Sequence, residues 1–207
     1  MAKPERKLSL SERVYLDLAE RIRRCDIKPG QMVFEPGLAA YYRVSKTPVR
    51  EALARLVEEG VVTKYARTGY LVNHIGVKDV IDGYHVRALL ESDAAALAAQ
   101  HITDEELSQI DLIPVEAYPL GEYNRAFHMA IAAASRNARL LRMVRIVYDD
   151  TYRLMVLDPK LSEDGASTDE HNRIVEALRK RDPEAARKAA MDHIQSGLAR
   201  VLARLGS

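Results

Sequence analysis

Sequence patterns that indicate β-strands are confined to the first third of this 207-residue chain. Val61 to Tyr65 and Tyr70 to Val72 are rich in β-branched and aromatic residues, and a short segment ending in glycine joins them, as in a hairpin. From Val77 onward no comparable strand pattern occurs. We therefore expect a mainly α fold with two domains, residues 1–76 with a small hairpin and residues 77–207 with helices alone.

Three helices are predicted before the hairpin. Ser9 and Glu12 have the spacing of a capping box at the start of the first helix. A short extended stretch at 31–34 precedes the second helix, and Pro48 suits the first turn of the third. The predicted helices are 13–24, 37–42 and 49–59. This order, closed by a hairpin, is that of a winged helix-turn-helix.

The second domain is predicted to be an all-α bundle of about six helices. Helical periodicity is interrupted at turn signals such as Thr103-Asp104, Arg136-Asn137 and Asp182-Pro183. The predicted helices are 77–100, 104–111, 120–135, 137–157, 167–181 and 183–204. A bundle of this size can bury its own core and carry a pocket between helices.

Charge divides along the same boundary. Residues 1–76 carry a net charge of +5 and residues 77–207 a net charge of −4, although the whole chain carries only +1. A basic module joined to an acidic one indicates that the first half meets a polyanion.

The single cysteine, Cys25, excludes an internal disulfide framework and fits a reducing compartment. No apolar run approaches the roughly 20 residues that span a bilayer, and the first residues have no apolar stretch typical of a signal peptide. We therefore expect a cytoplasmic protein with no membrane partner.

Hydroxyl and cationic side chains cluster at the start of the third helix. Lys46 and Arg50 are long enough to reach guanine O6 and N7 in the major groove, while hydroxyls and backbone N–H groups nearby can hold phosphate. A cation at the hairpin tip can follow the DNA backbone or minor groove. The predicted DNA-contacting residues are Ser45, Lys46, Thr47, Arg50, Arg67 and Thr68.

This region resembles the DNA-binding signature of the GntR superfamily. Residues 44–53 read Val-Ser-Lys-Thr-Pro-Val-Arg-Glu-Ala-Leu, which is similar to the form found in the FadR-type subgroup. Lys46 stands where that subgroup usually has Arg. A lysine presents a single point charge, whereas an arginine can donate two parallel hydrogen bonds, so we expect weaker discrimination between bases at that contact.

Three histidines in the helical half have the spacing of a possible metal cage. His128 lies one turn beyond Asn124, so both side chains leave the same helix face. The Asp182-Pro183 turn can bring His171 and His193 opposite each other. Three imidazoles and an oxygen suit Zn²⁺ or a similar cation, although any single histidine is more often an ordinary core or surface residue.

The helical half also resembles the FCD ligand-binding domain of FadR-type regulators. The matching segments are Val86 to Glu91, Asn124 to His128 with Ser135 to Asn137, Glu170-His171, and Met191 to Ile194. In that family an Asp and three His hold a metal against which an organic acid often binds. Here Asn124 occupies the Asp position, and a neutral amide oxygen is a poorer ligand than a carboxylate.

The remaining candidates for effector binding include a cation on an inward helix face. Arg87 shares a mostly apolar stripe with Tyr84 and Glu91. It can pair with Glu91 and pin helices, or bind an effector carboxylate, or do both. The predicted effector residues are Arg87, Glu91, Asn124 and Asn137, and the predicted metal ligands are His128, His171, His193 and Asn124.

Together these features predict a ligand-responsive transcription repressor that is not an enzyme. We expect a homodimer on an inverted-repeat operator, a small carboxylate effector, and a divalent metal, Zn or Ni. One alternative is an architectural DNA-binding protein without an effector. Another is a metal-dependent hydrolase, although the chain lacks His-Glu-x-x-His, Gly-x-Ser-x-Gly and Walker motifs.

Overall fold

A computed structural model describes residues 8–111, 120–157 and 166–205. The chain divides into two compact units, residues 1–75 and 76–207. The first contains three helices and a small sheet, and the second is built from helices within its described residues. The expected mainly α fold with a winged helix-turn-helix and a helical bundle is confirmed.

The first unit has the element order of a winged helix. Its elements are α1 Leu10–Arg23, β1 Met32–Val33, α2 Glu35–Tyr42, α3 Lys46–Glu58, β2 Val62–Tyr65 and β3 Gly69–Val72. The strands form an antiparallel sheet in the order β1, β3, β2, and Leu71 of β3 pairs with Met32 on one side and with Thr63 on the other.

Local sequence explains where α1 and α3 begin. The Ser9 hydroxyl accepts a hydrogen bond from Glu12 N at 3.1 Å, and the Glu12 carboxylate accepts one from Ser9 N at 2.7 Å, which is the expected capping box. The α3 helix begins at Lys46, three residues before the predicted start, because Pro48 is tolerated within a first helical turn. The buried Val49, Leu53 and Leu56 on its inner face join the core of this unit.

The described residues of the second unit form six helices whose ranges are close to those predicted. They are α4 Val77–His101, α5 Asp104–Asp111, α6 Leu120–Ala134, α7 Ala138–Leu157, α8 Ala166–Arg179 and α9 Pro183–Leu205.

The long α4 helix lies at the centre of this bundle and packs against α6, α7, α8 and α9. Its second half contains buried alanines at 94–96, 98 and 99, and the facing α9 buries Ala186 and Ala190. Small side chains let helix axes approach closely, so residues from several helices meet beside α4. No helix in the described ranges has the length and apolar character needed to cross a membrane.

Gly69 provides a test of the sheet that carries the wing. Its φ is +127°, and an added Cβ would lie 2.8 Å from the Val33 carbonyl oxygen. Gly69→Ala should therefore destabilise the protein by about 1–3 kcal/mol in urea denaturation. Gly37→Ala is the matched control, because nothing lies within 4 Å of the added methyl group and alanine favours the α2 helix. Equal stability of the two variants would contradict this strand pairing.

Candidate nucleic-acid interface and metal centre

The N-terminal end of α3 is open to solvent. Ser45 is the N-cap residue, but its side chain makes no capping hydrogen bond. Ser45, Lys46, Thr47 and Arg50 are all exposed. Their hydroxyl and cationic groups are therefore accessible at the helix end where backbone N–H groups favour anions.

Arg50 has a partner that the sequence pattern did not reveal. Its Nε and Nη2 donate to the Glu35 carboxylate at the start of α2, with the closest contact at 2.9 Å from Nη2 to Oε2. The Tyr70 hydroxyl on β3 donates to Glu35 Oε1 at 3.1 Å. Burial would raise the pKa of the Glu35 carboxyl, but the Arg50 hydrogen bond outweighs this and the net pKa is lowered. The Arg50 guanidinium is thus oriented by Glu35 of α2, which is itself held by Tyr70 of the sheet.

The hairpin tip is also exposed. Arg67 has a left-handed φ of +63° in the three-residue loop between β2 and β3. The Thr68 hydroxyl donates to Ala66 O at 3.2 Å, within the same loop. Both predicted wing residues therefore lie in solvent at the end of the sheet.

The helical unit brings the three predicted histidines together. His128 on α6, His171 on α8 and His193 on α9 are 6%, 1% and 6% exposed. One ring nitrogen from each lies within 4.8 Å of those from the other two. The helices thus place three imidazoles in one buried cluster, which we call the histidine cluster.

Two members of the histidine cluster face each other through the same ring atom. The Nε2 atoms of His128 and His193 are 3.2 Å apart. Two nitrogens bound to one tetrahedral Zn²⁺ at about 2.0–2.1 Å lie about 3.3 Å apart. A small cavity beside these two rings has a volume of about 10 Å³, room for about one ion or water molecule.

His171 is the most deeply buried of the three. Its ring stacks on Phe127 with the centroids 4.0 Å apart. Both of its ring nitrogens lie without a hydrogen-bond partner among the described residues. Because an unsatisfied buried nitrogen is costly, this ring is better matched to a bound cation than to an empty core position.

Protonation also favours metal ligation. Burial lowers the pKa of His171 well below 6.5, and the neighbouring His128 lowers it further. Burial and His128 together lower the pKa of His193 to about 4. Both rings are neutral at neutral pH, which is the form that binds metals.

Two ion pairs, one buried and one partly exposed, flank the histidine cluster. Arg87 Nε donates to Glu91 Oε1 at 2.6 Å, and Glu91 Oε2 lies 2.5 Å from His128 Nδ1. On the opposite side, Glu170 Oε2 lies 2.8 Å from His193 Nδ1, and Arg200 binds Glu170 through two hydrogen bonds. The roles of Glu170 and Arg200 were missed, because their contacts join residues 23 and 30 positions apart on different helices.

Arg87 is already engaged on several sides. It is 2% exposed and donates from Nη1 to the Thr151 hydroxyl at 3.1 Å. Its guanidinium carbon lies 4.3 Å from the centroid of the Tyr148 ring. The Arg87–Glu91 pair is therefore present within α4, and the Thr151 contact of Arg87 joins this pair to α7.

The two predicted asparagines occupy different environments. Asn124 is 8% exposed and precedes His128 by one turn of α6. Asn137 is exposed, and its side-chain oxygen accepts hydrogen bonds from Arg139 N and Leu140 N at the start of α7. Asn137 therefore caps a helix, and nothing in its contacts supports a role in effector binding.

The histidine cluster fits a divalent metal ion. Three imidazoles, two of them with a strongly lowered pKa, form a nitrogen donor set, and the unpartnered nitrogens of His171 lie among them. Such donors suit Zn²⁺ or Ni²⁺ and not Mg²⁺ or Ca²⁺, which prefer oxygen. The residues that could hold the ion are His128, His171 and His193. Asn124 lies one helical turn before His128 on α6.

Family models match both units of the chain. Residues 10–72 match the model of bacterial regulatory proteins of the gntR family, and residues 82–196 match the FCD domain. The chain therefore belongs to the GntR family of transcription regulators that carry an FCD domain.

Individual relatives agree with this assignment. The Nta operon transcriptional regulator of Aminobacter aminovorans is 30% identical over 183 residues, covering 84% of this chain and 86% of the relative. The transcriptional repressor RspR of Escherichia coli is 28% identical, covering 90% of this chain and 86% of the relative. The solved structure of E. coli McbR/YncC superposes with a TM-score of 0.80 at 24% identity, over 97% of this chain and 100% of that one, and so supports the fold.

Proposed function

We propose that this transcription regulator is a cytoplasmic repressor that senses a small carboxylate through a divalent cation, Zn²⁺ or Ni²⁺, in its helical unit. The observation that carries the sensing function is the buried histidine cluster, in which both nitrogens of His171 lack a partner among the described residues. Three of its relatives are named as repressors, one of them as a probable repressor, which supports repression as the direction of regulation.

The DNA-binding function rests on the exposed start of α3 and on the wing tip. Arg50 donates from Nε and Nη2 to Glu35. Its Nη1 group takes no part in these contacts, so it can donate to a guanine while Arg50 stays bound to Glu35. Lys46, Ser45 and Thr47 are placed for phosphate contacts, and Arg67 with Thr68 for the adjacent backbone or minor groove.

The proposal of a dimer on an inverted-repeat operator follows from how few base pairs one DNA-binding unit contacts. A single α3 helix reads only a few base pairs, whereas a genome offers millions of competing sites. Two linked half-sites give a useful ratio of specific to non-specific binding. We therefore propose that the protein binds DNA as a homodimer.

The effector would bind at coordination positions that the histidines leave open. A small carboxylate can ligate the cation directly. Arg87 would balance its charge, although two of its donor groups already bind Glu91 and Thr151. Direct contact with Arg87 would therefore require its remaining N–H groups or a rearrangement of the Glu91 pair.

The two alternatives have less support. A hydrolase needs a carboxylate able to act as a base beside the metal. Glu91 and Glu170 both lie in ion pairs with arginine, so neither is placed for that role. An architectural DNA-binding protein would not need the costly burial of three imidazoles in one cluster.

Arg50 and Lys46 are expected to contribute in different ways to operator binding. Arg50→Ala should weaken operator binding by about 1–3 kcal/mol and relax base preference at one position. Lys46→Ala should weaken binding to all sequences and lower the salt slope by about one, as a lost phosphate contact does. Fluorescence anisotropy with operator variants at several salt concentrations measures both effects.

Arg139→Ala is the matched control, because it removes an exposed cation from α7. It should bind operator DNA like the wild type. Wild-type affinity and salt dependence in both the Arg50 and the Lys46 variants would show that α3 does not enter the groove.

The untagged protein is expected to bind about one Zn²⁺ per chain and to melt at a higher temperature when loaded. His171→Leu should abolish this increase while leaving the metal-free protein as stable as the wild type or more so, because two unsatisfied buried nitrogens are removed.

Asn124→Asp should tighten zinc binding by adding a charged ligand. Metal analysis after dialysis and thermal unfolding measure these effects, with exposed His101→Ala as the control. A zinc-free wild type with an unchanged melting temperature would contradict the proposal.

A further inference from the structure

The two carboxylates beside the histidine cluster contact the same atom of their respective rings. Glu91 Oε2 lies 2.5 Å from Nδ1 of His128, and Glu170 Oε2 lies 2.8 Å from Nδ1 of His193. An ionised carboxylate accepts hydrogen bonds and donates none. Glu170 is hydrogen-bonded to His193, so Nδ1 of His193 must carry the hydrogen, which leaves Nε2 of that ring with a free lone pair. Glu91 Oε2 has no hydrogen-bond partner among the described residues and does not fix the hydrogen of His128 in this way.

Arginine holds the Glu170 carboxylate in its ionised form. Arg200 binds Glu170 through Nη1 at 2.8 Å and Nη2 at 2.9 Å, a fork that fixes the plane of the carboxylate.

The direct consequence lies at the centre of the histidine cluster. With the hydrogen of His193 on Nδ1, its Nε2 atom is an acceptor and lies 3.2 Å from Nε2 of His128. The lone pair of His193 is therefore directed into the histidine cluster, where a hydrogen on His128 Nε2 or a cation can bind it.

His171 differs from His193 in this respect. Neither of its ring nitrogens has a hydrogen-bond partner among the described residues, so no carboxylate selects which one carries the hydrogen. It lies in the same cluster, with its ring centroid 4.6 Å from that of His193. His171 therefore serves as an internal reference for an imidazole without a carboxylate partner.

We propose that Glu170 is a positioning residue that fixes His193 as the Nδ1–H tautomer, so that this ring presents Nε2 to the divalent cation. This inference rests on the proposed cation function. It gives Glu170, outside the predicted effector and metal sets, a role in the orientation of a metal ligand. Partners of this kind commonly change metal affinity by 10–100-fold.

The test combines a measurement on the wild type with a matched pair of variants. Two-bond ¹⁵N–¹H couplings of the metal-free full-length protein at pH 8 report the tautomer of each histidine. Glu170→Ala removes the acceptor for His193, while Glu176→Ala removes an exposed carboxylate from the same helix. Zinc affinity of each is measured by competition with a chelator, after circular dichroism has shown that both fold.

We expect the Nδ1–H tautomer at His193 in the wild type and a mixture of tautomers at His193 in Glu170→Ala. The same variant should bind zinc about 10–100-fold more weakly, with no change in Glu176→Ala. An Nε2–H tautomer at His193 of the wild type, or unchanged zinc affinity in Glu170→Ala, would overturn the positioning role. Failure of the wild type to bind zinc would overturn the cation function instead, and the tautomers, measured without metal, decide the positioning role separately.

Discussion

Two imidazole nitrogens face each other in a buried cluster, and the rest of the helical unit depends on this constraint. The Nε2 atoms of His128 and His193 lie 3.2 Å apart on helices α6 and α9, and an arginine-bound carboxylate lies beside Nδ1 of each ring. Charged groups are rarely buried unless they are paired, as Arg87 and Glu91 are here. The packing of the bundle therefore brings together ring nitrogens that could hold a cation.

This arrangement joins four helices by specific polar contacts. Glu91 belongs to α4, His128 to α6, Glu170 to α8 and His193 to α9. The alanines of α4 and α9 provide the close approach, whereas the ion pairs provide the orientation, since small apolar side chains alone would accept several rotations of a helix. A change in the coordination of a bound cation would thus affect all four helices, which is what a ligand-responsive domain requires.

Sequence reasoning succeeded where local rules decide the structure. Periodicity and turn residues located the helices of both units, and the Ser9 capping box formed as expected. The pairing of β1 with β3 was not predicted, because a two-residue strand has too little pattern to indicate its partner. The Arg50–Glu35 contact and the Glu170 pairs were missed for a related reason. They depend on which helix faces meet, and this is set by tertiary packing.

X-ray absorption at the zinc K-edge tests the central claim most directly. The untagged protein is loaded with Zn²⁺, dialysed, and measured in solution. Three buried imidazoles around one ion predict outer-shell scattering from about three histidine rings, with nitrogen or oxygen neighbours at about 2.0–2.1 Å. The same spectrum without histidine scattering, or with fewer than two rings per zinc, would contradict a cation site formed by His128, His171 and His193.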